Sequence, residues 1–176
     1  HLVEGSVPKS KSFMTENPKS ADECTMQINE IFFLDEDEIL SALWDHISEM
    51  SADGEYLNSL NKWERDFYYM FELCSEVNSG GFDSYLSYYG NHFDKVYKAL
   101  EGIGADQMIK LLEAVRGKFS KGKIPSKTES IQNAIEKLNS KGLDFENEDS
   151  EFYDKGEKEL VTKLLGFAIS NREHFR

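Results

Sequence analysis

The sequence predicts an all-α fold, a single globular domain of about seven or eight helices with no significant sheet. Three observations predict it. Apolar residues recur at three- and four-residue intervals in one window after another, which is the spacing of one helix face. No stretch alternates apolar and polar residues as a half-buried strand would. Of three prolines, Pro8 and Pro18 lie in the first twenty residues, so the rest is almost free of helix breakers. The 176 residues suit one domain. With 39% hydrophobic and 12% aromatic residues, the chain has the material for a core.

The elements follow in order. Residues 1–20 are polar, carry both prolines and read as a flexible tail, part of which fits a tag remnant at His1. The domain then spans 21–176. Residues 36–50, "EDEILSALWDHISEM", place Ile39, Leu40, Leu43, Trp44, Ile47 and Met50 on one side of a helix. Asp35 is its N-cap, and acids in the first turn suit the dipole. Ala52 to Gly54 form a turn. A longer helix starts at about Tyr56 or Leu60 and runs to Asn78. Its inner stripe is Leu60, Trp63, Phe67, Met70 or Phe71, Cys74 and Val77. Gly80 or Gly81, in the left-handed conformation, ends it as a C-cap and lets Phe82 dock under the turn.

Phe82 to Tyr89 read as a short aromatic helix whose Phe82, Tyr85, Leu86 and Tyr89 have core spacing. His92 to Glu101 follow as another, with Phe93, Val96, Tyr97 and Leu100 facing in. Gly102 to Ala105 break it. Residues 105–119 are amphipathic through Met108, Leu111, Leu112, Val115 and Phe119. After a loop at Lys121 to Pro125, Ser126 to Glu129 have capping-box spacing. They open a helix carrying Ile131, Ile135 and Leu138, which Gly142 ends. The acidic run 144–154 reads as a loop leading into a last helix, roughly 151–172, with Leu160, Leu164, Leu165, Phe167 and Ile169.

Motifs for catalysis are missing from this pattern. The glycine pair follows no strand and lacks the Gly-Lys-Ser/Thr of a phosphate loop. His46 and Glu49 share a helix face, but a metal needs more ligands, so no metal and no cofactor are expected. "DEDE" at 35–38 lacks the mid-loop glycine of a calcium hand. Cys24 and Cys74 share no motif and fit a reducing cytoplasm. No run is long and apolar enough for a membrane helix. The reading is a non-catalytic, cytoplasmic protein.

Charge is the stronger signal. The formal net charge is −13. From Ser20 to Asn61 there are eleven acids and no Lys or Arg, and from Gly142 to Asp154 six acids and again none. Between Gly81 and Lys127 eight bases face five acids. Direct binding of nucleic acid needs clustered Lys and Arg, so a basic macromolecule is the better partner. On a helical wheel Asp35, Glu38, Asp45 and Glu49 form one stripe opposite the apolar face, with Ala42 in the gap. At about 1.5 Å rise per residue the stripe spans roughly 21 Å. Duplex DNA carries about one charge per 3.4 Å on each strand, so several such stripes are needed to approach its pattern. The bland alternative is that net charge serves solubility.

The segments "EVNSGGFDSYLSYYG" at 76–90 and "ALEGIGA" at 99–105 resemble a bacterial DNA-mimic protein family, an all-helical domain long catalogued as of unknown function. The matching positions are Asn78, Gly80, Gly81, Phe82, Gly90, Ala99, Leu100, Ile103, Gly104 and Ala105, and the similarity covers about residues 35–172. Ser84 stands where the family usually has Gln, and Tyr88 and Tyr89 where it often has Asn. The resemblance implies a non-catalytic protein, a homodimer, whose acids imitate duplex phosphates. Its partner would be a helix-turn-helix transcription regulator or another basic DNA-binding protein. The residues expected to make that contact are Asp35, Glu36, Asp37, Glu38, Asp45, Glu49, Asp144, Glu146, Glu148 and Asp149. Two further readings use the same charge: an immunity or antitoxin-type protein that neutralises a basic nuclease, and a small enzyme with a carboxylate site.

Overall fold

One long helix, bent in its middle, runs through the fold and most of the others pack against it. In the computed structural model, which describes residues 26–176, the α-helices are α1 Ile28–Ile31, α2 Glu36–Ser51, α3 Lys62–Tyr89, α4 Phe93–Ile103, α5 Asp106–Gly117, α6 Thr128–Asn139, α7 Glu146–Glu151 and α8 Glu157–Ser170. Helix α3 touches α2, α4, α6, α7 and α8. No strand occurs among the described residues. The flexible-tail reading of 1–20 and the position of Cys24 lie outside the described residues.

Helix α3 starts on a reciprocal cap. The Asn61 side chain accepts from the Glu64 N–H at 3.1 Å, and the Glu64 carboxylate accepts from the Asn61 N–H at 2.7 Å. Glu64 is fully buried, and Arg176 donates to it from its backbone, Nε and Nη2. Phe175 is buried beside it, edge-on to Phe67. The inner stripe of α3 is Phe67, Met70, Leu73 and Val77, all without exposed surface, while Trp63, Phe71 and Cys74 are half-buried.

Two expectations at the glycine pair are corrected. Gly81 has φ 70° and ψ −175°, a positive φ with an extended ψ, so it is not a left-handed helical cap. Nor does the chain leave the helix there. It bends and resumes helical geometry through Tyr89, because Phe82, Tyr85 and Leu86 are all drawn into the core. Left-handed caps do occur at Ala52, which ends α2, and at Gly104, which ends α4.

Two other local expectations fail. Helix α6 begins after Lys127, and no side chain bonds its cap, so Ser126 and Glu129 form no capping box. Asp35 is the N-cap of α2 by backbone geometry, again without a side-chain bond. The acidic run is not a loop. Residues 146–151 are helix, and a π-helical turn, Phe152–Gly156, joins them to α8. Phe145 and Phe152 are buried at the two ends of α7 and hold it against the core. Its first-turn acids Glu146, Glu148 and Asp149 sit where the helix dipole favours negative charge.

Candidate functional site

Helix α2 turns Ile39, Leu43 and Ile47 inward and leaves Asp35, Glu36, Asp37, Glu38, Asp45 and Glu49 exposed. The ion pairs among the described residues use Asp66, Glu72, Glu148, Asp154, Glu173 and Glu64, and none uses an acid of α2. Glu49 lies in the last turn, where no basic residue accompanies it. The dipole disfavours an anion there. So the α2 acids are unneutralised by ion pairs, and at Glu49 the row includes an acid that folding energetics alone would not place.

The second acidic stretch is built differently. Asp144 and Glu146 are exposed, and the Asp144 carboxylate accepts the Glu146 N–H at 3.2 Å. Glu148 pairs with Lys118 Nζ at 2.7 Å. The same ammonium donates to the Asp144 carbonyl and lies 5.6 Å from the centre of the Phe145 ring. Asp149 accepts the Phe82 N–H at 2.8 Å and so caps the restarted half of α3. Burial pushes its carboxyl above the ordinary range, the Phe82 bond pulls it back, and Glu148, Asp83 and Asp144 push it further up. Of this stretch, Glu148 and Asp149 are engaged within the fold.

Each of the two stretches reaches the bend of α3 at one point. Asp37 shares a groove with Asn78 and Ser79, and Asp149 lies against Gly81 and Phe82. Asn78 donates to Glu157 at 2.9 Å. The remaining positions of the glycine-phenylalanine motif are architectural. Gly90, Ala99, Leu100 and Ala105 are buried, Ile103 is half-buried, and Gly104 caps α4. Of the departing positions, Ser84 and Tyr89 are half-buried and Tyr88 is exposed.

Sequence reasoning missed Glu72. Its side chain is 3% exposed, and its Oε2 lies 2.7 Å from His92 Nδ1. Burial raises its carboxyl above the ordinary value, against the opposing pull of His92 and Tyr68. Glu72 lines a small cavity with Trp44, Asp53, Tyr68, Glu76 and Tyr89. An acid beside Phe71 and Leu73, four residues from both Tyr68 and Glu76, was the available signal. A larger cavity, about 700 Å³, is elsewhere and is lined by Lys121, Lys123 and Lys127 with one carboxylate, Asp94. Among the described residues no group of three or more His, Cys, Asp or Glu is placed to hold a metal. No helix there is long and apolar enough to cross a membrane.

The model of the family described as DMP19-like protein matches residues 58–171. The match spans α3 to α8 and starts after α2, later than the motif-based expectation of residue 35. No curated protein and no solved structure matches the chain.

Proposed function

Because the chain belongs to the DMP19-like protein family, we propose that it is a non-catalytic DNA mimic whose acids occupy the DNA-binding surface of a basic protein. The exposed, unpaired row Asp35, Glu36, Asp37, Glu38, Asp45 and Glu49 on α2 carries this reading. Asp144 and Glu146, exposed near the restart of α3, add to it, whereas Glu148 and Asp149 serve the fold. The rigid, buried inner face of α2 keeps the row in place, so little ordering is lost on binding. A net charge of −13 steers a cationic partner from a distance. The partner is a transcription regulator or another DNA-binding protein, and the contact is electrostatic.

Affinity capture on the immobilised protein tests this. Basic DNA-binding proteins are expected to bind at low salt and to be released both by high salt and by added duplex DNA. Retention that ignores duplex DNA contradicts the proposal.

A further inference from the structure

A cavity of about 110 Å³ lies between α2 and α3, below the turn at residues 52–54. Trp44, Tyr68 and Tyr89 line it together with the acids Glu72, Glu76 and Asp53. Glu72 is the unusual member. One of its oxygens lies against His92, and the other, Oε1, is buried and makes no hydrogen bond of good geometry, although the Tyr68 hydroxyl is close enough to pull on the carboxyl. A carboxylate oxygen shut away from water without a donor is a rarity that calls for a ligand or ordered water. Here the cavity leaves room for a donor from outside beside the Tyr68 hydroxyl.

We propose that this cavity receives the guanidinium head of an arginine side chain presented by the basic partner. The inference rests on the proposed DNA mimicry and adds the group that the partner inserts. Three features select that chemistry. The lining carries three carboxylates and no lysine or arginine, so the occupant is a cation. Aromatic residues in the lining suit a cation. A planar, weakly hydrated guanidinium stacks on rings and gives up its water more easily than an ammonium, while its several N–H groups reach more than one acceptor. One N–H meets Glu72 Oε1, and the others face Glu76 and Asp53. The mouth also stands where an arginine would arrive. Asp53 and Ser75 are exposed at its rim, and Asp53 follows Glu49, the end of the acidic row, by four residues. About three waters could fill the same volume, which is the competing outcome.

The two tryptophans make the test internal to one sample. Trp44 lines the cavity, whereas Trp63 stacks on His174 at 3.8 Å in another part of the molecule. The protein, labelled with nitrogen-15, is titrated with N-methylguanidinium while both indole N–H signals are followed. A saturable shift of the Trp44 signal with Trp63 unmoved is expected. Methylammonium should bind about tenfold more weakly. Glu72→Gln should weaken methylguanidinium about tenfold through loss of a charge-assisted bond. Glu76→Gln, at a half-buried position, supplies a second variant with the same direction of effect should Glu72→Gln fail to fold.

A Trp44 signal that does not saturate, equal movement of both indoles, methylammonium binding as tightly, or unchanged affinity in the variants overturns the proposal. The cavity is then a water site. Failure here leaves DNA mimicry standing if charge reversal on α2 still abolishes partner capture. Binding of methylguanidinium alongside a partner indifferent to duplex DNA would keep the cavity and remove the mimicry.

Discussion

Asp149 Oδ1 accepts the Phe82 N–H at 2.8 Å, and the Asp149 carboxylate fills the space where Gly81 has no side chain. A Cβ built on Gly81 would lie 2.5 Å from Asp149 Oδ2. The acid and the glycine therefore form one device. Glycine lets α3 bend with φ +70°, and the aspartate caps the half that restarts.

Gly81→Ala is therefore expected to destabilise the fold by about 1–3 kcal/mol from backbone strain, with the clash adding to it. Asp149→Ala loses a cap, about 1 kcal/mol. The two should be strongly non-additive, because removing the carboxylate relieves the clash. Urea denaturation of the singles and the double checks this. Additive losses would show that the two residues do not act together.

Tyr85 is fully buried and its hydroxyl has no partner. Tyr85→Phe keeps the ring and removes the unsatisfied group, so stability is expected to rise by about 1 kcal/mol. A clear loss in the same denaturation assay would mean that the hydroxyl is satisfied.

Burial raises the carboxyls of Glu72 and Asp149 above their ordinary values of 4.5 and 3.8. The native state thus holds these protons more tightly than the unfolded chain. Their stabilisation is complete below those ordinary values and is lost as pH rises through the higher folded ones. Repulsion within a chain of net charge −13 has the same sign. Unfolding free energy measured by denaturation is expected to fall between mildly acid and neutral pH, and Glu72→Gln should flatten the slope. Stability that climbs over this range would refute the assignment.

How much of this was legible in the sequence differs from residue to residue. Helical spacing exposed α2, α4, α5 and the inward row of α3, because a helix shows its buried face every three to four residues. Helix α7 was hidden. Its six residues are all polar, and what orders them is the burial of Phe145 and Phe152 against distant helices. The glycine pair announced a break, but its immediate restart depends on Asp149, 67 positions away in the chain. The α2 acids were visible as a stripe because local periodicity alone puts them outside. Glu148 and Asp149 looked equally available, and only tertiary contacts with Lys118 and Phe82 set them apart. Glu72 looked like one more acid until packing closed over it.

Reversing charge on α2 should separate folding from binding. Glu49 sits in the last turn, so lysine there suits the dipole by about 0.3–1 kcal/mol. Asp45→Lys/Glu49→Lys is expected to melt at or above the wild-type temperature. A destabilised variant would mean that the row serves the fold.

The most direct test is displacement of a labelled duplex from the captured DNA-binding protein, read by fluorescence anisotropy. Wild-type protein is expected to release the duplex, and Asp45→Lys/Glu49→Lys to need about a hundredfold more protein or to fail. A duplex that stays bound to its protein whatever the wild-type concentration, or that both forms displace equally, would contradict mimicry by the α2 row.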